Sequence, residues 1–205
     1  MDITIAMGYK EDLWHSSRLH SHQMFESISK SIGEQHTVNM FAPELGRTPT
    51  FLDRRLKFGR LIPKSELLHL YDPAYGDCIP EINKRNTTTI LTVTDIAFWL
   101  HRNFLNSLLR RRIVQGVKQA NIRIGISKKT DQEMREVLGF GCEEVVYLGS
   151  SPEIYRFSDQ PRIEGKILHV GSVMARKEVE RIIRLLSYLP APFHFVQVGG
   201  SFTEL

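Results

Sequence analysis

The residues best suited to chemistry lie in one stretch, Val170-Gly171-Ser172-Val173-Met174-Ala175-Arg176-Lys177-Glu178. An apolar run ends in Gly171, a short loop follows, and Arg176 and Lys177 fall where the next helix opens. The positive end of a helix dipole favours Asp or Glu, so two cations there are mildly unfavourable alone. An anion reverses the sign, because it accepts the terminal backbone N–H groups and the cationic side chains together. A phosphate-binding turn is therefore one reading of the stretch, and on the local pattern alone the less favoured one. The plainer reading is a pair of solvated cations beside Glu178 and Glu180.

Other residue types invite chemistry less strongly. His15, His20 and His22 follow the first apolar run without a carboxylate pattern beside them, so a solvated loop is expected there rather than a metal site. His69 and His169 fall inside strand-like runs and read as hydrogen-bonded core or sheet-face residues. Arg110, Arg111 and Arg112 sit on an amphipathic segment that suits a solvated helix face, with an anionic lipid surface as the competing reading. Trp14 reads as a loop anchor or a stacking platform, and Met7, Met24 and Met40 as packing.

The elements that must position these residues alternate. Ile3–Met7, Thr37–Phe41, Leu67–Tyr71, Thr88–Val93, Ile122–Ile126 and Val145–Leu148 read as strands, Thr88–Val93 most clearly because it is rich in β-branched residues. Helical spacing runs from about Ser21 to Ile32, through Phe51–Leu61 until Pro63, and from Trp99 to Ala120. In the last of these, Phe104, Leu105, Leu108, Leu109, Ile113, Val114 and Val117 form one expected apolar stripe. Ser127 is the expected N-cap of a helix ending near Leu138-Gly139. This is an α/β pattern with a mostly parallel sheet. Residues 150–165 are polar and irregular and read as a linker. A fresh β-α-β unit follows: strand Lys166–Val170, helix from about Lys177 to Leu189, strand Phe193–Val198.

Composition narrows the classes. At 205 residues, with 41% hydrophobic and 24% charged, the chain is ordinary globular material rather than collagen-like or disordered. Ile90–Leu100, its longest apolar stretch, is interrupted by Thr92, Thr94 and Asp95 and falls well short of the roughly 20 residues that span a bilayer. Met1-Asp2-Ile3-Thr4 has no basic n-region or apolar h-region. Cys78 and Cys142 are two and far apart, which makes neither a disulfide framework nor a metal spacing. A reduced, cytoplasmic protein is expected. The net charge of +4 favours anionic partners without choosing among them.

Gly at a strand end, Arg-Lys opening the next helix and a following strand that ends Val-Gly-Gly resemble the second domain of retaining glycosyltransferases of the GT-B fold, family four. Thr92-Val93-Thr94-Asp95 resembles that family's strand ending in His-Asp. Ala120 to Ser127 resembles its apolar strand closed by Ser, and Val145-Val146-Tyr147-Leu148-Gly149 the strand before its interdomain linker. Leu68-His69-Leu70-Tyr71-Asp72-Pro73 through Tyr75-Gly76 is similar too.

The resemblance implies residues 1–149 as a Rossmann-like acceptor-side domain, 150–165 as a linker, and 166–205 as the truncated start of a nucleotide-sugar donor domain. It implies that Arg176 and Lys177 hold the donor diphosphate, that Gly171 lets backbone approach it, and that Gly8 nears the phosphates or acceptor from across the cleft. Asp95 is implied as the catalytic carboxylate at the sheet edge, with Thr94 and Tyr75 on the acceptor side. Thr94 stands where members often have His, and the family's Glu pair has no counterpart before Leu205.

The leading expectation is a glycosyltransferase that moves a hexose from a nucleotide sugar to a glycan, a lipid-linked sugar or another hydroxyl. It would work by positioning the acceptor and stabilising the leaving diphosphate. It needs no cofactor and no metal, because cations and a helix N-terminus can neutralise the leaving group. Residues 1–205 alone are expected not to transfer sugar. The competing class is a non-catalytic Rossmann-like module that binds a phosphorylated ligand or a partner protein. A dinucleotide oxidoreductase is disfavoured, since no Gly-x-Gly-x-x-Gly follows the first strand or Val170. Nucleic acid is disfavoured because cations and aromatics do not interleave in any element. The expected location is the cytoplasm or the inner membrane face.

Overall fold

The structure, a computed structural model, describes residues 1–10, 15–32, 35–44, 57–96, 104–149, 159–173, 177–190 and 192–199. The side chains of 15–18 and 104–106 are not among them. The chain divides into two compact units, Met1–Gly149 and Ser150–Leu205.

The first unit holds strands β1 (Asp2–Ala6), β2 (Thr37–Phe41), β3 (Leu67–Leu70), β4 (Thr88–Val93), β5 (Ile122–Gly125) and β6 (Glu144–Val145). Their order across the sheet is β2-β1-β3-β4-β5-β6, and every neighbouring pair is parallel. Helices α1 (His15–Ser31), α2 (Ile79–Asn83), α3 (Phe104–Gln119) and α4 (Lys128–Leu138) lie between the strands, with a 3₁₀ turn at Pro73–Cys78. The chain steps from β1 outward to β2, then returns to the other side of β1 to lay down β3. Parallel crossovers are right-handed, so α1 covers one sheet face and the later crossovers the other. This is the expected Rossmann-like α/β fold with a mostly parallel sheet, and every strand pair among the described residues is parallel.

Register shows which face carries the main core. Ala6, Leu70 and Leu91 stand in one row across β1, β3 and β4. They pack with Ile79 and Ile82 of α2 and with Ile113 and Val117 of α3, all buried. Ile5, His69 and Ile90 form the corresponding row on the opposite face.

Local signals account for several boundaries. The Ser127 hydroxyl accepts the Thr130 N–H at 3.1 Å, and α4 ends on Gly139 in the left-handed conformation at φ 78°. Both are expected caps. Other boundaries move. The helix expected from Ser21 begins at His15, so His15, His20 and His22 lie on α1 rather than in a loop. Polar Ser and His carry little helical signal, and the β1-to-β2 parallel crossover overrides it. The strand expected over Val145–Leu148 pairs only as Glu144–Val145, leaving Val146, Tyr147 and Leu148 exposed.

In α3 the expected stripe is narrower. Ile113 and Val117 are buried and Leu109 packs on the core, but Leu108 is 69% exposed. Leu108 shares its helical face with the exposed Arg111, Arg112 and Gln115, about one position around from the packed row. The Phe51–Leu61 segment is described only over 57–61, which is helical, and 97–103 lies outside the described residues, as does Trp14. Among the described residues no helix is long and apolar enough to cross a membrane.

The second unit contains β7 (Lys166–Val170) and β8 (His194–Val198), paired in parallel, with α5 (Val179–Leu186) between them in sequence. The helix is shorter than the expected 177–189. Leu168 and Val170 stay 58% and 69% exposed on the sheet face they share with Val196 and Val198.

Candidate functional site

Because the six strands run parallel, their C-terminal ends share one edge, and folds of this kind place ligands at the point on that edge where the strand order reverses. In this chain that point lies between β1 and β3. The loop after β1 carries Gly8, and the turn after β3 carries Tyr75. The structure brings the two together. Gly8 adopts φ 109°, and a Cβ placed on it would lie 2.7 Å from Tyr75 Cε2. A side chain is excluded at Gly8 by its backbone and by the ring above it.

Tyr75 is held from several sides. Asp72 Oδ1 accepts the Ala74 N–H at 2.8 Å and opens the 3₁₀ turn. The Tyr9 N–H points at Tyr75 Oη at 3.4 Å. The Phe58 ring lies 4.4 Å from the Tyr75 ring and 5.4 Å from that of Tyr9, so aromatic side chains line this end of the core. From behind, Gly76 meets Gly116 of α3, where a Cβ on Gly116 would sit 1.8 Å from the Gly76 carbonyl oxygen. Two facing glycines let the helix backbone reach the turn. Tyr75 is buried.

Thr94 and Asp95 follow β4 at the same sheet edge, Thr94 half-buried and Asp95 exposed. Gly171, Arg176 and Lys177 belong to the second unit. Gly171 follows β7 with φ 151°, and Lys177 is exposed two residues before α5, which opens at Val179 rather than at Lys177. Arg176 lies outside the described residues. The α5 N-cap is Glu178, in the left-handed conformation at φ 50° with no side-chain cap bond, and its carboxylate pairs with Arg181 at 2.7 Å.

Two titratable groups in and beside β3 stay neutral near pH 7. Burial pushes His69 down to about 4, and its Nε2 is 2.8 Å from Thr92 Oγ1, so the ring is neutral at pH 7. Tyr71, at the end of β3, is pushed up to about 12, first by burial and then by the charge of Asp72. Neither group supplies a proton near neutrality. Both histidines expected inside strands are hydrogen-bonded: His69 to Thr92, and His169 Nδ1 to Gln197 Oε1 at 2.5 Å.

Sequence reasoning missed Tyr9 and Phe58, which bracket Tyr75, and the Gly76–Gly116 contact. A glycine inside the helical pattern of α3 was the available signal for the contact. It also missed Gln197, for which a strand pattern holds no signal.

No protein-family model matches the chain, and no curated protein matches it. Among solved structures, a sucrose-phosphate synthase from Thermosynechococcus elongatus superposes with a TM-score of 0.77 at 13% sequence identity. The match covers 100% of this chain and 64% of that one, so the chain spans less than two thirds of that protein's length. At this identity the likeness shows a shared fold. A ligand-free, open substrate-binding protein with adhesive properties from Clostridium difficile matches with a TM-score of 0.34 at 13% identity, covering 99% of this chain and 58% of that one. At that score the second likeness carries no argument.

Proposed function

We propose that this chain serves a glycosyltransferase of the GT-B kind, moving a hexose from a nucleotide sugar to an acceptor hydroxyl on a glycan or lipid-linked sugar. The observation that carries the reading is the fold shared along the whole chain with a sucrose-phosphate synthase. The family-four resemblance of the β7–Gly171–Lys177–α5 stretch supports it.

In this reading residues 1–149 serve the acceptor side and 166–205 the donor phosphates. Lys177 and Arg176 neutralise charge on the diphosphate as the sugar–phosphate bond breaks, and the uncapped first turn of α5 adds backbone donors. Gly171 leaves room for the diphosphate to approach the backbone. Asp95 orients the acceptor hydroxyl from the edge of the first sheet, with Thr94 beside it, and the pair Gly8–Tyr75 shapes the crevice wall. Orientation supplies much of the rate when two substrates must meet in one geometry.

Calorimetric titration with a panel of nucleotide sugars tests the proposal. Lys177→Ala should weaken binding by about 1.5–3 kcal/mol, the worth of a hydrogen bond to a charged group. Equal affinity in wild type and variant, or no binding across the panel, removes the donor-phosphate assignment.

A further inference from the structure

At the C-terminal end of the small sheet, one side chain ties two glycine turns together. Gln197 of β8 is in register with His169 of β7. Its Nε2 donates to the carbonyl oxygens of Gly171 at 2.6 Å and Gly199 at 2.7 Å. Two amide hydrogens meet two carbonyls. The flipped carboxamide would set its oxygen against both carbonyls, so the surroundings dictate its orientation. Oε1 therefore faces His169 Nδ1, which must carry a proton to donate to it.

The turns held in this way need holding. Gly171 and Gly199 sit at φ 151° and 92°, and glycine is the most permissive backbone. A Cβ on Gly199 would lie 3.1 Å from the Gly171 oxygen, and the Gly171 N–H donates to Val198 O at 2.8 Å, so the turns are in contact.

We infer that Gln197, oriented by His169, is a positioning residue for the anion-binding turn that begins at Gly171. It holds the Gly171 backbone before a ligand arrives, which lowers the ordering cost of binding at that point. The inference rests on the donor-phosphate reading above.

The test uses the 205-residue chain and its Gln197→Leu and Gln197→Glu variants. Long-range proton–nitrogen NMR reads the His169 tautomer, amide exchange reads Gly171, and calorimetry reads affinity for ADP, GDP and UDP. The wild type should show the Nδ1–H tautomer. Gln197→Leu should lose that preference, whereas Gln197→Glu should keep it, because a carboxylate still accepts from Nδ1–H. Both lose the donor to the glycine carbonyls, so both should exchange the Gly171 amide at least tenfold faster and bind the best diphosphate about tenfold more weakly. An Nε2–H tautomer in the wild type overturns the inference without any variant. Wild-type binding that Gln197→Leu leaves unchanged overturns the positioning role alone. The expected tautomer with no diphosphate bound overturns the donor-phosphate reading, and the positioning role with it.

Discussion

Replacing Gly116 by Ala sets two well-known effects against each other. In a helix interior Ala is favoured over Gly by about 0.8–1.0 kcal/mol, so propensity alone makes the change stabilising. Packing opposes it. The new Cβ would lie 1.8 Å from the Gly76 oxygen and 2.6 Å from its carbonyl carbon, both backbone atoms that cannot rotate away. Reaching ordinary contact requires α3 and the 3₁₀ turn to part by about 1.5 Å. Ile113 and Val117 flank Gly116 and are buried, so that withdrawal loosens their packing too. A gap of 0.5–1 Å already forfeits a quarter to a half of each contact's attraction, and overpacking costs about 1–3 kcal/mol, occasionally more. A 1.8 Å overlap with backbone lies at the upper end of that range, so packing wins, with an expected net loss of about 2 kcal/mol once the helix gain is subtracted. Urea unfolding followed by near-UV circular dichroism reads this from the buried aromatic side chains. Gly139→Ala is the control: nothing lies within 4 Å of its Cβ, so it carries only the strain of φ 78°, about 1–2 kcal/mol. If Gly116→Ala is neutral or stabilising, or no worse than the control, the close approach that supports Tyr75 is wrong.

Two further outcomes follow from the same geometry. His69 titrates near 4 when folded against 6.5 ordinarily, so between those values the unfolded chain binds more protons and stability falls as pH falls. The loss by pH 4 is on the order of 3 kcal/mol, and His69→Gln should flatten that part of the stability–pH curve; an unchanged curve rejects a buried neutral imidazole. Asp95→Asn keeps any helix-capping ability, since Asn caps about as well as Asp, so on the proposed reading sugar transfer should drop at least about tenfold while the melting temperature barely moves. Unchanged transfer leaves Asp95 a purely structural role.

What the sequence determined by itself was local. The β-branched run Thr88–Val93 became β4 with the boundaries its composition indicates, and Ser127 and Gly139 closed α4 through bonds to residues three or four positions away. Alternation of strand and helix was enough for a parallel α/β sheet, because parallel neighbours require crossovers. Where the determinants were distant, the sequence was silent. Strand order is set by which apolar faces find cover, so nothing near Gly8 announced that Tyr75 would stand over it, and nothing near Gly116 announced Gly76. Polar α1 formed from His15 because the crossover demanded it. Leu108 matched the apolar spacing yet fell on the outer face, since a pattern of threes and fours tolerates two neighbouring rows and only packing selects one. The residue types of a candidate site were legible one at a time. The meeting of Gly8 and Tyr75 at the β1–β3 edge, and the tie made by Gln197 between two glycine turns, were decided by tertiary structure, because contacts between residues tens of positions apart leave no periodic trace in the chain that makes them.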